Sequence, residues 1–94
     1  MSAPVVQVPS STGWVEQPGV VYAARLPDGP PLVLTRAGAV VWAAVLLGGD
    51  LDDVVARVAA ATGESAPAVR PGVEAFVAGL VDAGVLVLAP PAHD

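Results

Sequence analysis

The spacing of apolar residues changes once along this chain, at Thr35, and that change constrains the fold more than any other feature. Before it, residues 20–26 alternate between two faces, as in a β-strand with one face buried. After it, apolar residues recur every three or four positions, as they do along one face of a helix. The order predicts an α+β domain in which strands come first and helices follow.

The β-part is predicted to contain a hairpin formed by residues 20–26 and 31–35. The two segments flank Pro27-Asp28-Gly29-Pro30, in which proline presets φ and Asp and Gly tolerate the backbone angles of tight turns. A short strand over residues 14–16 is expected before the hairpin, because Pro18-Gly19 interrupts the chain there.

Two helices are predicted between Thr35 and Gly63. Thr35 is the expected N-cap of the first helix, which Gly48-Gly49 would end. Asp50 is the expected N-cap of the second, with Asp53 three residues later as the reciprocal partner of a capping box. Gly63 would end this second helix.

A third helix is predicted over residues 71–83, with a loose turn near 66–69 before it. Pro67 and Pro71 are not expected within one unbroken helix, because an interior proline loses a hydrogen bond and clashes one turn back. The apolar face of this third helix has the spacing of a buried stripe and consists of Val73, Phe76, Val77 and Leu80. After the helix, a short strand is expected over residues 85–88.

The 94 residues are enough for one domain. We expect residues 1–13 to be a flexible N-terminal segment with at most a loosely paired strand over residues 5–8, residues 14–88 to form the folded domain and residues 89–94 to be a flexible tail. A small antiparallel sheet followed by a three-helix bundle describes a winged-helix-like α+β architecture.

Composition excludes several classes of site. The chain has no Cys, and its one His is the penultimate His93, so we expect no metal, no cofactor and no catalytic activity. Nine acidic residues stand against four Arg and no Lys, which disfavours nucleic acid and anionic membranes as partners. The longest apolar run, residues 37–49, is shorter than the roughly 20 residues of a membrane span. With no basic segment at the N-terminus, the expected location is the cytoplasm.

Three specific alternatives are weaker. Asp50, Asp52 and Asp53 lack the spacing and distal Glu of a calcium loop. The same region lacks the serine that an acyl carrier protein needs for phosphopantetheine. A winged-helix DNA-binding regulator would need cations on its third helix, and residues 71–83 contain Glu74 and Asp82 but no Lys or Arg.

Three segments of the chain resemble PqqD-like proteins. Residues 34–42, Leu-Thr-Arg-Ala-Gly-Ala-Val-Val-Trp, are similar to the strand-to-helix junction of that family. Residues 46–55 resemble its "Leu, Gly-Gly, capped helix" segment, and residues 73–86 resemble its closing helix. The resemblance covers roughly residues 14–88, and its order and spacing are more specific than any single motif.

The resemblance implies a RiPP recognition element, a non-catalytic domain that binds the leader of a ribosomally made precursor peptide and presents it to a separate modifying enzyme. In such domains the leader adds as a strand to the open edge of the sheet and packs against the third helix. Strand addition uses main-chain hydrogen bonds for affinity and side-chain pockets for selectivity. The peptide-binding residues it implies here are Leu32, Val33, Leu34, Thr35, Arg70, Val73, Glu74 and Val77, with Arg70 and Glu74 at the polar rim of the groove.

Structural roles compete with these assignments. Val73 and Val77 also fit a core stripe, and the face shared by Leu32 and Leu34 could equally pack on the helices. Trp42 and Phe76 are expected in the core, and Trp14 is expected to cover a sheet edge. An open edge would equally serve a scaffolding subunit of a biosynthetic enzyme, or a homodimer.

Overall fold

The predicted hairpin is the centre of a three-stranded antiparallel sheet in the computed structural model, which describes residues 4–90. Its arms are β3 (Val20–Arg25) and β4 (Leu32–Thr35), and the register pairs Val20 with Thr35. Strand β2 (Thr12–Gln17) pairs with the other side of β3. The strand order is therefore β2-β3-β4, and the α+β prediction is confirmed.

The N-terminal segment, expected to be flexible with at most a loosely paired strand over residues 5–8, contributes a paired strand and a core residue. Strand β1 (Val5–Gln7) pairs antiparallel with β5 (Val87–Ala89), and Val6 is only 1% exposed. The main-chain N–H of Val6 also donates to the Gly49 carbonyl at 3.0 Å. The packed unit therefore begins before residue 14, because a buried side chain and paired main chain hold this segment in place.

The C-terminal strand lies later in the chain than the expected residues 85–88. Val85 and Leu86 are core residues, 1% and 0% exposed, and their N–H groups donate to the carbonyl of Leu80. The segment thus folds back on the preceding helix before the strand begins at Val87. Of the expected flexible tail, residues 91–94 lie outside the described residues.

Helix α1 (Ala37–Leu46) has Arg36 at its N-cap position, where Thr35 was expected. Thr35 is still paired with Val20 in the sheet, so its backbone cannot turn into the helix. Arg36 makes the turn instead, with φ of 53°, a conformation that non-glycine residues adopt infrequently. No side chain caps this helix N-terminus.

Helix α2 (Leu51–Thr62) has the capping box that its sequence predicts. The Asp53 N–H donates to Asp50 Oδ1 at 2.9 Å, and the Asp50 N–H donates to Asp53 Oδ2 at 3.0 Å. Gly63 ends the helix in the left-handed conformation with φ of 75°.

Helix α3 (Ala66–Asp82) is one continuous helix, so the prediction of a break before Pro71 is wrong. Ser65 caps it by accepting from the Ala68 N–H at 3.3 Å. Pro67 lies in the first turn, where its missing N–H has no intrahelical acceptor. Pro71 therefore removes one interior hydrogen bond, to the Pro67 carbonyl, and the remaining turns of the helix stay bonded.

The core lies between the inner face of the sheet and the three helices. Trp42 is fully buried at its centre, and the indole of Trp14 packs edge-on against it with ring centroids 5.8 Å apart. The Thr12 hydroxyl ties β2 to the C-terminal segment by donating to the Val85 carbonyl at 2.8 Å. No helix within residues 4–90 is both long and apolar enough to cross a bilayer.

Candidate functional site

The outer edge of β4 is unpaired within residues 4–90. β4 uses one side for β3, and no described strand lies on the other. The two terminal segments that could have covered this edge, β1 and β5, pair with each other in a separate two-stranded sheet. The main-chain groups of β4 that point away from β3 are therefore available to a further strand.

The side chains of β4 divide between the two faces of the sheet. Leu34 is 5% exposed and Leu32 is partly buried against the same core, so both face the helices. Val33 is 59% exposed on the outer face, and Thr35 is exposed as well. Any contact that these four residues make with a guest strand would come chiefly from their main chain.

The two valines expected on α3 are core residues. Val73 is 2% exposed and Val77 is 3% exposed. Val73 also forms part of the lining of a surface cleft, whereas Val77 does not. Val73 and Val77 therefore serve mainly to fill the core, as the apolar stripes of helices usually do.

Arg70 and Glu74, expected at the rim of the site, are engaged with each other and with α2. Arg70 donates to Asp52 Oδ1 at 2.6 Å, and its guanidinium lies 3.5 Å from Glu74 Oε2. The hydrogen bond to Asp52 is the main cause that raises the pKa of Arg70 above its ordinary value. These side chains connect α3 to the start of α2, and neither lines the cleft.

The cleft opens between the start of α1, the end of α2 and the first half of α3. Its volume is about 300 Å³, at the small end of ligand pockets, and its lining includes Ala37, two residues beyond the end of β4. Thr62 and Glu64 are the polar side chains of the lining. Its apolar lining includes Val41, Val58, Val69, Val73 and Phe76.

Phe76 links this cleft to β4, a role that the sequence did not suggest. Its ring is half-buried against Gly38, where an added Cβ would lie 2.8 Å from the ring and 3.6 Å from the Cβ of Leu34. Gly38 therefore makes room for the aromatic ring beside the strand. In the sequence, the one signal of this contact was that the chain has a single phenylalanine and that the first turn of the otherwise apolar α1 contains a glycine, Gly38.

Gly72 contributes an open wall to the same cleft. It lies on the exposed side of α3, and a Cβ added there would meet no atom within 4 Å. Internal packing therefore does not explain a glycine within a helix, where it costs about 1 kcal/mol relative to alanine. The space in front of it is accessible to a bound chain.

Negative charge is concentrated on the helices. Residues 50–82 contain six carboxylates and two arginines, whereas residues 1–49 contain two of each sign. Both arginines of the helical part are engaged, Arg57 with main-chain carbonyls at the end of α1 and Arg70 with carboxylates. Within the described residues there is no cluster of side chains suited to a metal ion.

One solved structure supports the architecture. No family model matches the chain, and no curated protein matches it. The structure of TbiB1 in complex with the TbiA(beta) leader peptide is similar to this chain, with a TM-score of 0.76 and 17% sequence identity. The alignment covers 94% of this chain and 99% of that chain. The two proteins therefore share a fold over nearly their whole lengths.

Proposed function

We propose that this protein is a RiPP recognition element of the PqqD-like kind, which binds the leader of a precursor peptide by strand addition. The observation that carries the proposal is the unpaired edge of β4 beside an apolar cleft on the α3 side. The shared fold with TbiB1, which was solved with a leader peptide, supports the same role.

The geometry favours an antiparallel guest. Every strand pair in the described sheets is antiparallel, and antiparallel pairs are slightly more stable per residue. A guest that runs antiparallel to β4 has its N-terminal end beside Thr35. The guest residues that precede the paired segment then continue past the end of β4 toward Ala37, which lines the cleft.

The β4 edge suits a guest better than the β2 edge. β2 carries Trp14, which is 41% exposed and whose indole packs on Trp42. The cleft that contains Phe76 is lined by residues of α1, α2, α3 and the α2–α3 connection, and by none of β2, so it lies toward the β4 edge. Main-chain pairing at β4 would supply affinity, and the pocket would supply selectivity.

In this proposal the chemistry belongs to a separate modifying enzyme. Many of the charged side chains of this chain already have structural partners: Asp50 and Asp53 cap α2, and Arg70 pairs with Asp52. DNA binding is disfavoured, because Arg70 is the only cation on α3 and the helical part carries a net negative charge.

The outer face of the sheet favours docking of a protein partner as a second role. One row across the three strands consists of Val15, Tyr22 and Val33, which are 59%, 41% and 59% exposed. Solvated sheet faces are usually polar, so an exposed apolar row is typical of a contact surface. A modifying enzyme that docks here would lie beside the guest strand on β4.

Val33→Pro tests strand addition. The probe is a 20-residue peptide selected on this protein from a random display library, with its affinity measured by calorimetry. Proline adds a ring at the open edge and removes an N–H, so binding should weaken by about tenfold or more while helical circular dichroism is retained. Glu16→Pro is the control, because Glu16 lies on the opposite edge strand and the register turns its N–H away from β3; this change should leave affinity within about twofold.

A second measurement leaves the protein unchanged. Peptides N-methylated at alternate residues keep their side chains but lose the N–H donors of one strand edge, so the pattern that blocks the edge facing β4 should abolish binding and the other pattern should not. Selected peptides that bind equally well to Val33→Pro, or in both methylated forms, would place the binding surface elsewhere. A dimer in sedimentation analysis that excludes the peptide and that Val33→Pro dissociates would assign the edge to a second copy of the chain.

A further inference from the structure

We infer that the cleft beyond β4 selects a lysine or arginine in the guest peptide, placed N-terminal to the segment that pairs with β4. This inference rests on the proposed function. It names the chemistry of the guest, which the edge strand alone does not specify.

The lining of the cleft suits an amphipathic side chain. Its floor and walls are apolar and include Val69, Val73 and Phe76, which can cover the methylene stem of Lys or Arg. The half-buried ring of Phe76 lines the same cleft, and aromatic rings attract cations that approach their faces. A purely aliphatic side chain would use the walls but not the polar rim.

The rim of the cleft carries one ionisable group, Glu64. The other polar lining residue, Thr62, donates its hydroxyl to the Val58 carbonyl at 2.9 Å and is thereby satisfied within α2. Glu64 is exposed in the connection between α2 and α3. An ammonium or guanidinium group leaving the apolar part of the cleft would meet this carboxylate.

The net negative charge of the surrounding helices also favours a cation in the cleft. Four more carboxylates than arginines lie between residues 50 and 82, on the elements that form two sides of the cleft. Both arginines in this range are engaged, so neither is available to repel a guest cation or to pair with a guest carboxylate. An acidic side chain entering the cleft would meet like charge.

The position of the cation follows from the direction of the guest. The cleft lies past the Thr35 end of β4, and an antiparallel guest places its N-terminal residues there. A cation on the C-terminal side of the paired segment would lie near Leu32, at the other end of the strand. The proposal therefore specifies residue type and order along the guest.

The test uses three forms of the selected display peptide that carry Lys, Gln or Glu at the position before the paired segment. On the wild-type protein at low salt, the Lys form should bind about two- to fivefold more tightly than the Gln form and the Glu form more weakly still. The preference should shrink at 0.5 M salt, because exposed pairs are screened.

Glu64→Gln assigns the effect to the cleft. This variant should lose most of the Lys-over-Glu preference while binding the Gln form as the wild type does. Glu16→Gln is the matched control, since it removes the same charge from an exposed residue on β2. It should keep the preference.

Three outcomes would overturn the inference: no charge preference, equal preference in Glu64→Gln and wild type, or a preference for a cation on the C-terminal side. In each of these the peptides still bind in a Val33→Pro-sensitive manner, so strand addition survives. Loss of Val33→Pro sensitivity would instead reject the proposed function itself. Thermal unfolding of each variant verifies that the fold is intact.

Discussion

At the scale of single residues, Arg57 shows why this acidic protein has so little free positive charge. Its guanidinium reaches from α2 to the end of α1, where it donates to the Ala44 carbonyl at 3.0 Å and to the Gly48 carbonyl. The last carbonyls of a helix have no intrahelical donors and carry partial negative charge. Arg57 donates to one of these carbonyls, that of Ala44, and to the Gly48 carbonyl just beyond the helix, and it thereby joins α2 to the end of α1.

Arg57→Met is expected to lower the free energy of unfolding by about 1–3 kcal/mol, because it keeps much of the apolar stem but removes the charged donor. Urea denaturation followed by circular dichroism measures the change. Arg36→Met serves as the control, since Arg36 is exposed and makes no side-chain hydrogen bond within the described residues. A change of equal size in both variants would contradict the capping role.

At the scale of elements, α3 shows how a helix stays continuous across an interior proline. The stripe through Val73, Val77 and Leu80 is buried against the core along the later turns. That burial stabilises the helix after Pro71, and the Ser65 cap stabilises it before Pro71. Packing and capping together therefore override the local preference for a break.

Pro71→Ala is expected to raise the free energy of unfolding by about 1–3 kcal/mol, since it restores the hydrogen bond to the Pro67 carbonyl. Pro67→Ala is the matched control: its ring lies in the first turn, so its removal should change stability by less than about 1 kcal/mol. Chemical denaturation of the two variants compares them directly. Equal effects would mean that Pro71 behaves as a first-turn residue and that α3 begins later.

At the scale of the whole molecule, the two ends of the described chain close the fold together. β1 pairs with β5, and Val6 inserts into the core between them and α1. Because each terminal strand takes the other as its partner, neither occupies β4. The edge proposed for the guest is thus left open by the way the termini pair.

Val6→Ala tests whether the N-terminal segment belongs to the folded unit. Removing two buried carbons should cost about 1.5–3 kcal/mol, from lost burial and the cavity that remains. Val15→Ala, the same change at a 59% exposed site, should cost less than about 0.5 kcal/mol. Urea midpoints measure both, and an unchanged midpoint in Val6→Ala would show that the Val6 side chain does not contribute to the folded core.

Local signals predicted the elements well where residues have a specific role as turn residues or helix caps. The hairpin followed from Pro27-Asp28-Gly29-Pro30, and the start and end of α2 followed from Asp50, Asp53 and Gly63. The same approach failed at Thr35 and Pro71, because strand pairing decides where α1 begins and core burial decides where α3 begins.

The candidate site was only partly predictable. The sequence placed β4 and α3 in one region, but it assigned Arg70 and Glu74 to a rim when they bond toward α2. It assigned Phe76 to the core, whereas the ring is half-buried at the cleft. Helical spacing tells which residues share a face, but it does not tell which neighbour that face meets.

The order of strands and helices, the capping of α2 and the surplus of negative charge were determined by the amino-acid sequence itself, because each depends on residues close together in the chain or on composition. The pairing of β1 with β5, the open edge of β4 and the cleft beside Phe76 were decided only by the tertiary structure. Each of these depends on contacts between segments far apart in sequence, whose energies no local pattern contains.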